Sequence, residues 1–466
     1  MAGMETDGLP IPRRYWSILA IMLALTMAQL DASIANVALP TLARELHTTP
    51  AASVWVVNAY QLAIVASLLP LASLGEIFGY RRVYQAGLAL FTLASVGCAL
   101  SPNLGVLTFA RVVQGLGAAG IMSMIGALVR YTYPHRLLGR AIGFNALILA
   151  LSSAAGPPLA SAILAVTSWH WLFAINGPLG LVALAIGLWA VPNPEPAPRR
   201  FDVWSAILNA LAFGPLVLGA ETLARDGDPL VGGLAVAVGV AAGATLVRRS
   251  LSQTHPLFPF DLLRIRILAL SIGTSFTAFV AQTLAIVSLP FMLQYFLGRS
   301  VVETGLLMTP WLLATAVAAP LAGRIADGPG GPALGSVGLV AFAVGMVLLA
   351  WLTPHASALD IGWRMAVCGV GFGMFQSPNN RAILGSAPRA RVGSAGGLLA
   401  TARLAGQTTG ATLTAFLFHL SPAGRNAGTP LLIGAAFALA AAAVSVFKLR
   451  EGGPPPAAAG PEAMDL

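Results

Sequence analysis

Lysine is almost missing from this 466-residue chain: of 26 basic residues, 25 are arginine and one is Lys448. A phosphate-binding P-loop needs a lysine directly after its last glycine. Lys448 follows Phe447, so intrinsic ATP coupling is excluded. Cysteine is nearly as scarce. Cys98 and Cys368 both fall inside apolar runs, which implies neither a disulfide framework nor a thiolate metal site, and the six histidines show no paired metal spacing. Charge is thin, at 9% of residues. The net charge of +9 could suit nucleic acid, but the arginines are scattered through short loops rather than gathered on one face, so no nucleic-acid partner is implied. No span offers paired acids, a histidine cluster or an activated serine. The chain therefore does not read as an enzyme, and no cofactor is implied.

What the sequence has is apolar length. Hydrophobic residues make up 57% and mean hydropathy is +0.80, the composition of an all-α integral membrane protein. Runs of about 18 or more apolar residues occur fourteen times, at about 15–39, 54–74, 83–100, 104–129, 139–166, 171–191, 202–222, 230–247, 267–297, 304–322, 333–352, 362–385, 394–418 and 429–447. The first is too long for a signal peptide and stays as an uncleaved span. With the N-terminus inside, 19 basic residues fall on inner loops and helix ends against 5 outside. That excess predicts both termini cytoplasmic, in the cell inner (plasma) membrane.

An internal repeat divides the chain. Ala72-Ser73-Leu74-Gly75-Glu76-Ile77-Phe78-Gly79-Tyr80-Arg81-Arg82 follows span 2, and Gly323-Arg324-Ile325-Ala326-Asp327-Gly328 follows span 10. Spans 1–6 therefore match 9–14. The expected organisation is a six-helix bundle over 1–191, a Pro-rich linker at 192–201, two inserted helices over 202–247, a second linker at 248–266, a second bundle over 267–450 and a disordered tail at 451–466. Two equivalent halves suggest rocking about a site at their interface.

Four charges lie in or near the spans: Asp31, Arg111, Glu221 and Arg403. Asp31 sits deep in span 1, where a carboxylate costs roughly 2.5–3.5 kcal/mol on insertion scales and so marks either function or a well-paired structural acid. Arg111 in span 4 lies at the same depth on an oppositely directed helix, roughly 12 Å from the outer boundary. The two make a pair waiting to be closed, with Arg111 either a partner in proton coupling or a fixed strut. The neighbouring charge favours an ionised Asp31 and the apolar surroundings favour a protonated one, the balance a proton carrier needs. Glu221, near the outer end of span 7, is either a solvated interfacial acid or a second coupling site. Asn58, Tyr60, Gln61, Asn145, Gln282, Gln376, Asn379, Arg403 and Gln407 are candidate cavity residues, each with helix packing as its alternative role. Gly115-Leu116-Gly117-Ala118-Ala119-Gly120 spells a dinucleotide fingerprint, yet lies mid-helix with no preceding strand and cannot act as one.

Four motifs carry a resemblance. Leu30 to Pro40, Ala72 to Arg82, the set Leu107, Arg111, Gln114, Gly115, Gly117, Ala118 and Ala119, and the set Gly143, Ser152, Gly156, Pro157, Ala160 and Ser161 occur in order. Together they resemble the signatures of the major facilitator superfamily, in its fourteen-helix drug:proton antiporter branch, most like the quaternary-ammonium and methyl-viologen exporters. Ser33 stands where threonine is usual, Ala72 for glycine, Glu76 for aspartate, and Ser152, Ala160 and Ser161 for glycine. The resemblance implies a major facilitator fold of two six-helix bundles plus an inserted hairpin, acting as a monomer that moves protons and an amphipathic, cationic small molecule in opposite directions across the lipid. It implies proton coupling at Asp31 and Arg111, with Glu221 as a second candidate. It implies conformational roles for Glu76, Gly79, Arg81, Arg82, Gly143, Gly156, Pro157 and Asp327. A proton symporter, or an exporter of one metabolite, is the alternative within transport. A non-transporting membrane protein would not need Asp31 and Arg111 in lipid.

Overall fold

The computed structural model describes residues 8–134, 137–194, 201–224, 228–253, 258–325, 331–388, 391–420 and 428–451. Within them the chain forms fourteen long helices and no strand. These are α1 (Arg13–Glu45), α2 (Pro50–Phe78), α3 (Tyr80–Ala99), α4 (Leu104–Thr132), α5 (Leu138–Val166), α6 (His170–Ala190) and α7 (Val203–Ala224). Then follow α8 (Pro229–Ser252), α9 (Arg266–Phe296), α10 (Val301–Ile325), α11 (Gly331–Ala350), α12 (Ala358–Ser386), α13 (Val392–Leu420) and α14 (Thr429–Glu451). Each expected apolar run appears as a helix. Most run a few residues longer, because backbone bonding continues into polar turns that a headgroup region tolerates.

Local chemistry places the ends. Asn103 starts α4 by accepting from the Val106 amide at 3.0 Å, and Ser357 starts α12 by accepting from Asp360 at 3.1 Å. Thr49 and Asp228 cap α2 and α8, each followed by a proline at the first helical position. Gly79 turns the chain from α2 into α3 at φ +99°, a conformation that glycine adopts without steric cost. Asp327 and the 452–466 portion of the tail lie outside the described residues.

The repeat is visible in the packing. In the first half α1 packs on α5 and α6, α2 and α3 pack on α4, and α3 packs on α6. The second half repeats this with α9 on α13 and α14, α10 and α11 on α12, and α11 on α14. Across the halves α5 meets α10 and, as the same symmetry requires, α13 meets α2. One apolar cluster joins both halves at the end away from the termini, running from Ile34, Leu39 and Val56 to Phe291, Trp311 and Phe372. At the terminus-bearing end the first half has its own cluster, reaching the second half through Leu404, and the second half keeps a small one around Leu268 and Ile383. The apolar core is thus continuous across the halves at one end and largely divided between them at the other.

The two inserted helices are placed differently: α8 is peripheral, packing on α7 and the 3-10 turn Phe260–Arg264. Helix α7 differs: it lies against α2 and α13, one from each half. Pro70 in α2 has no N–H for the Ala66 carbonyl. Asn209 of α7 supplies the missing donor at 2.7 Å and also reaches the Val65 carbonyl at 3.3 Å. Asn209→Ala removes the donor from the half-buried Ala66 carbonyl. It is expected to cost about 1–3 kcal/mol, read as a lower unfolding temperature of the detergent-solubilised protein; an unchanged transition would deny α7 this anchoring role.

At the hairpin's base Asp202 accepts from Ser205 Oγ at 2.6 Å, Gln253 Nε2 at 2.6 Å and Arg249 Nη2 at 3.0 Å. Burial disfavours its charge, but these donors and the Ser205 amide more than offset that and hold the carboxyl well below the usual carboxylate range.

Candidate functional site

Asp31 and Arg111 meet inside the first half. Asp31 is 2% exposed and Arg111 0%. Helix α4 can bring the guanidinium close to α2 because Gly115 has no side chain; a Cβ there would stand 2.5 Å from the Tyr60 carbonyl oxygen. Arg111 Nη1 donates to Asp31 Oδ2 and to Gln114 Oε1 (2.7 Å), while Nε donates to the Val56 carbonyl at 2.9 Å. The other carboxylate oxygen, Oδ1, accepts from Gln114 Nε2 at 2.9 Å and Asn176 Nδ2 at 3.0 Å. Gln114 is steadied by Ser95 Oγ at 2.8 Å. The charge is therefore held by donors from α4 and α6 on one side of α1. Arg111 Nη2 is the one atom of the set left buried without a partner.

Tyr60 stands between this ion pair and the middle of the molecule. Its ring centroid lies 4.1 Å from the Arg111 guanidinium carbon, and its hydroxyl donates to the Ala28 carbonyl at 3.1 Å. The face of the protein beyond Tyr60 is a cavity of about 300 Å³ between the two halves. Tyr60, Gln61, Gln282, Gln376, Arg403 and Gln407 all line it. The lining also includes Gln29, Ser33, Asn36, Ser153 and Asn380, which sequence reasoning did not single out. Asp31 and Arg111 are not on it. The cavity reaches toward the terminus-bearing end, where Gly396 and Asn380 border it.

Three of the expected cavity residues are elsewhere. Asn58 reaches Thr412 across the halves at 3.4 Å. Asn379 donates to the Ser271 carbonyl (3.0 Å) and Ser275 Oγ (2.8 Å) and accepts from Lys448 at 3.2 Å, tying α12 to α9 and α14. Asn145 sits on α5 away from the lining. Asn58 and Asn379 serve packing because their side-chain amides find partners on neighbouring helices before they reach open space, whereas the Asn145 Oδ1 is buried without a partner. The side chain of Glu221 and the surroundings of Gly143 lie outside the described residues.

Among the motif residues, Gly156 and Pro157 face α1. Pro157 frees the Ser153 carbonyl, and Ser33 Oγ donates to it at 3.1 Å. A Cβ on Gly156 would collide with that serine, so α1 and α5 touch here through their smallest side chains. Glu76, Gly79, Arg81 and Arg82 gather at the α2–α3 junction on the terminus-bearing end. Asn176, missed as a site residue, carries one weak sequence signal: a lone amide at the start of an otherwise apolar run.

A family model described as Major Facilitator Superfamily matches residues 21–411 and again 270–463. An Escherichia coli protein named Uncharacterized transporter YebQ is 51% identical over 452 residues, covering 97% of this chain and 98% of its own. The Multidrug resistance protein Stp of Mycobacterium tuberculosis is 32% identical over 400 residues, covering 84% and 74% respectively. Among solved structures, a bacterial homologue of the human lysosomal transporter Spinster, in an inward-facing and occupied conformation, superposes with a TM-score of 0.65 at 17% identity, covering 95% of this chain and 98% of that one.

Proposed function

This chain belongs to the major facilitator superfamily and is a multi-pass membrane transporter, and we propose that it is a proton-coupled antiporter that exports amphipathic compounds by alternating access. The observation that carries the reading is the buried Asp31–Arg111 pair, separated by one aromatic ring from a cavity shared by both halves. In this reading the membrane is the bacterial inner membrane and both termini are cytoplasmic, so the cavity opens to the cytoplasm. The name of the M. tuberculosis relative supports export of toxic compounds. Proton uptake at Asp31 weakens its hold on Arg111. The guanidinium then shifts against Tyr60, and the cavity wall changes shape at α2. Ser33 and Gly156 let α1 and α5 slide as the halves rock. An inward proton is driven by about 2.3 kcal/mol per charge for every 100 mV, enough to work against a substantial substrate gradient.

The sequence resemblance favours a cationic cargo, but among the described residues no carboxylate lines the cavity to receive one. The proposal is therefore stated for amphipaths in general. The test is flux in proteoliposomes under an imposed pH gradient, with amphipathic dyes of each charge class. Uphill movement opposite to the proton is expected for at least one class. Movement with the proton would make the chain a symporter, and no gradient-driven movement of any dye would remove the proposal.

A further inference from the structure

The cavity carries charge of one sign. Its C-terminal wall presents Arg403 and Gln407 one turn apart on α13, Gln282 on α9, and Gln376 and Asn380 one turn apart on α12. Its N-terminal wall is mixed but carries no charge: Ala28, Ala32, Ile64 and Met122 lie there with the Tyr60 ring, alongside Gln29, Ser33, Asn36, Gln61 and Ser153. Among the described residues the Arg403 guanidinium has no hydrogen-bond or carboxylate partner; its recorded contact is with the Phe279 ring, 5.2 Å from the guanidinium carbon to the centroid. Asp31 does not neutralise it, because Asp31 is already held by Arg111, Gln114 and Asn176 and does not line the cavity. An arginine stays charged at any physiological pH, and one placed mid-membrane without a counter-ion is an unmet electrostatic demand.

We propose that the cavity takes amphipathic organic anions, with the anionic group (a carboxylate or sulfonate) on Arg403 and the apolar body against Ile64, Met122 and Tyr60. The fork of five guanidinium N–H groups matches a planar carboxylate in bidentate geometry, and the amides of Gln407, Gln282 and Gln376 surround it with further donors. A cation in the same place meets a like charge in a low-dielectric pocket and no acid. A cavity of about 300 Å³ suits a ligand of one or two fused rings with a short acidic arm. The inference deepens the transport reading in that it takes this cavity as the substrate site; it does not depend on what drives transport.

The test is equilibrium binding to the full chain in detergent, with no ion gradient, using three radiolabelled probes that share a naphthyl-propyl body: the carboxylate, its primary amide and the trimethylammonium analogue. The carboxylate is expected to bind tightest. Arg403→Gln should weaken it about ten- to hundredfold, as loss of a charged hydrogen-bond partner does, while leaving the amide within about twofold. Arg403→Lys should keep most of the carboxylate affinity, since it keeps the charge. A trimethylammonium probe that binds as tightly as the carboxylate overturns the inference. So does an equal loss of amide and carboxylate in Arg403→Gln, which would make the arginine structural, and so does a failure of the carboxylate to bind wild type at millimolar concentration. Should Arg403→Gln not fold, the wild-type ranking of the three probes decides alone. A carboxylate that binds but is not moved by a pH gradient fails the proton-coupling reading and leaves this one standing. A cation moved uphill while the carboxylate does not bind does the reverse.

Discussion

Replacing Asp31 by Asn is expected to abolish uphill transport while leaving a folded protein. All three neighbours that hold the carboxylate are donors: Arg111 Nη1, Gln114 Nε2 and Asn176 Nδ2. An amide in its place offers one acceptor and two donors of its own; with its oxygen toward Arg111 its nitrogen takes the Oδ1 place, so Gln114 and Asn176 must both turn their side-chain amides to accept. Both can, because an amide carries an acceptor as well as donors. The shape is thus preserved, but position 31 can no longer exchange a proton, and the two halves lose the event that links proton movement to their rocking. Asp31→Glu keeps a titratable group with a longer reach and is expected to retain partial activity with a displaced pH optimum. The measurement is gradient-driven flux in proteoliposomes across pH, at matched protein content. Undiminished, pH-dependent uphill transport by Asp31→Asn would place the coupling site elsewhere, with Glu221 the first residue to try.

Arg111→Ala is expected to be the most destabilising single change in the transmembrane region. It removes the counter-charge of an acid that stays buried, a loss of about 3–5 kcal/mol when one member of a buried pair is deleted. It also removes the stacking partner of Tyr60 and the donor to the Val56 carbonyl. Arg249→Ala is the control. Its pair with Asp202 spans 3.0 Å, but the side chains are 40% and 22% exposed, where a pair contributes about 0–1 kcal/mol. Thermal unfolding in detergent should separate the two clearly. The double variant Asp31→Asn with Arg111→Ala should lose less than the sum of the singles, since neither partner is then left charged and alone. Equal losses for Arg111→Ala and Arg249→Ala would deny that the buried pair is a unit.

The fold was legible because its signal is additive. Twenty apolar residues in a row need no tertiary context to be a span, and the Gly75–Glu76 and Ala326–Asp327 steps after spans 2 and 10 reveal the repeat by themselves. The meeting of Asp31 and Arg111 was legible from depth alone, since antiparallel helices bring equal distances from one boundary to the same level. Direction around a helix axis was not. A helix buried on every side has no polar face to betray which way a side chain points. For that reason Asn379 and Gln376, three residues apart on α12, read alike in the sequence, yet one ties α9 and α14 together and the other lines the cavity. Asn176, a lone amide in an apolar run, gave no direction for the same reason. The place of α7 was hidden differently: its tie to α2 depends on a carbonyl freed by Pro70, a relation between two residues 139 positions apart.

That tie makes the two sides of the transporter unequal toward the lipid. The halves meet along two seams, α5 with α10 on one side and α2 with α13 on the other, and only the second has α7 laid over it. Lipid therefore meets three helices at the α2–α13 seam and two closely packed ones at the α5–α10 seam, so the hairpin braces the halves against each other on one side only.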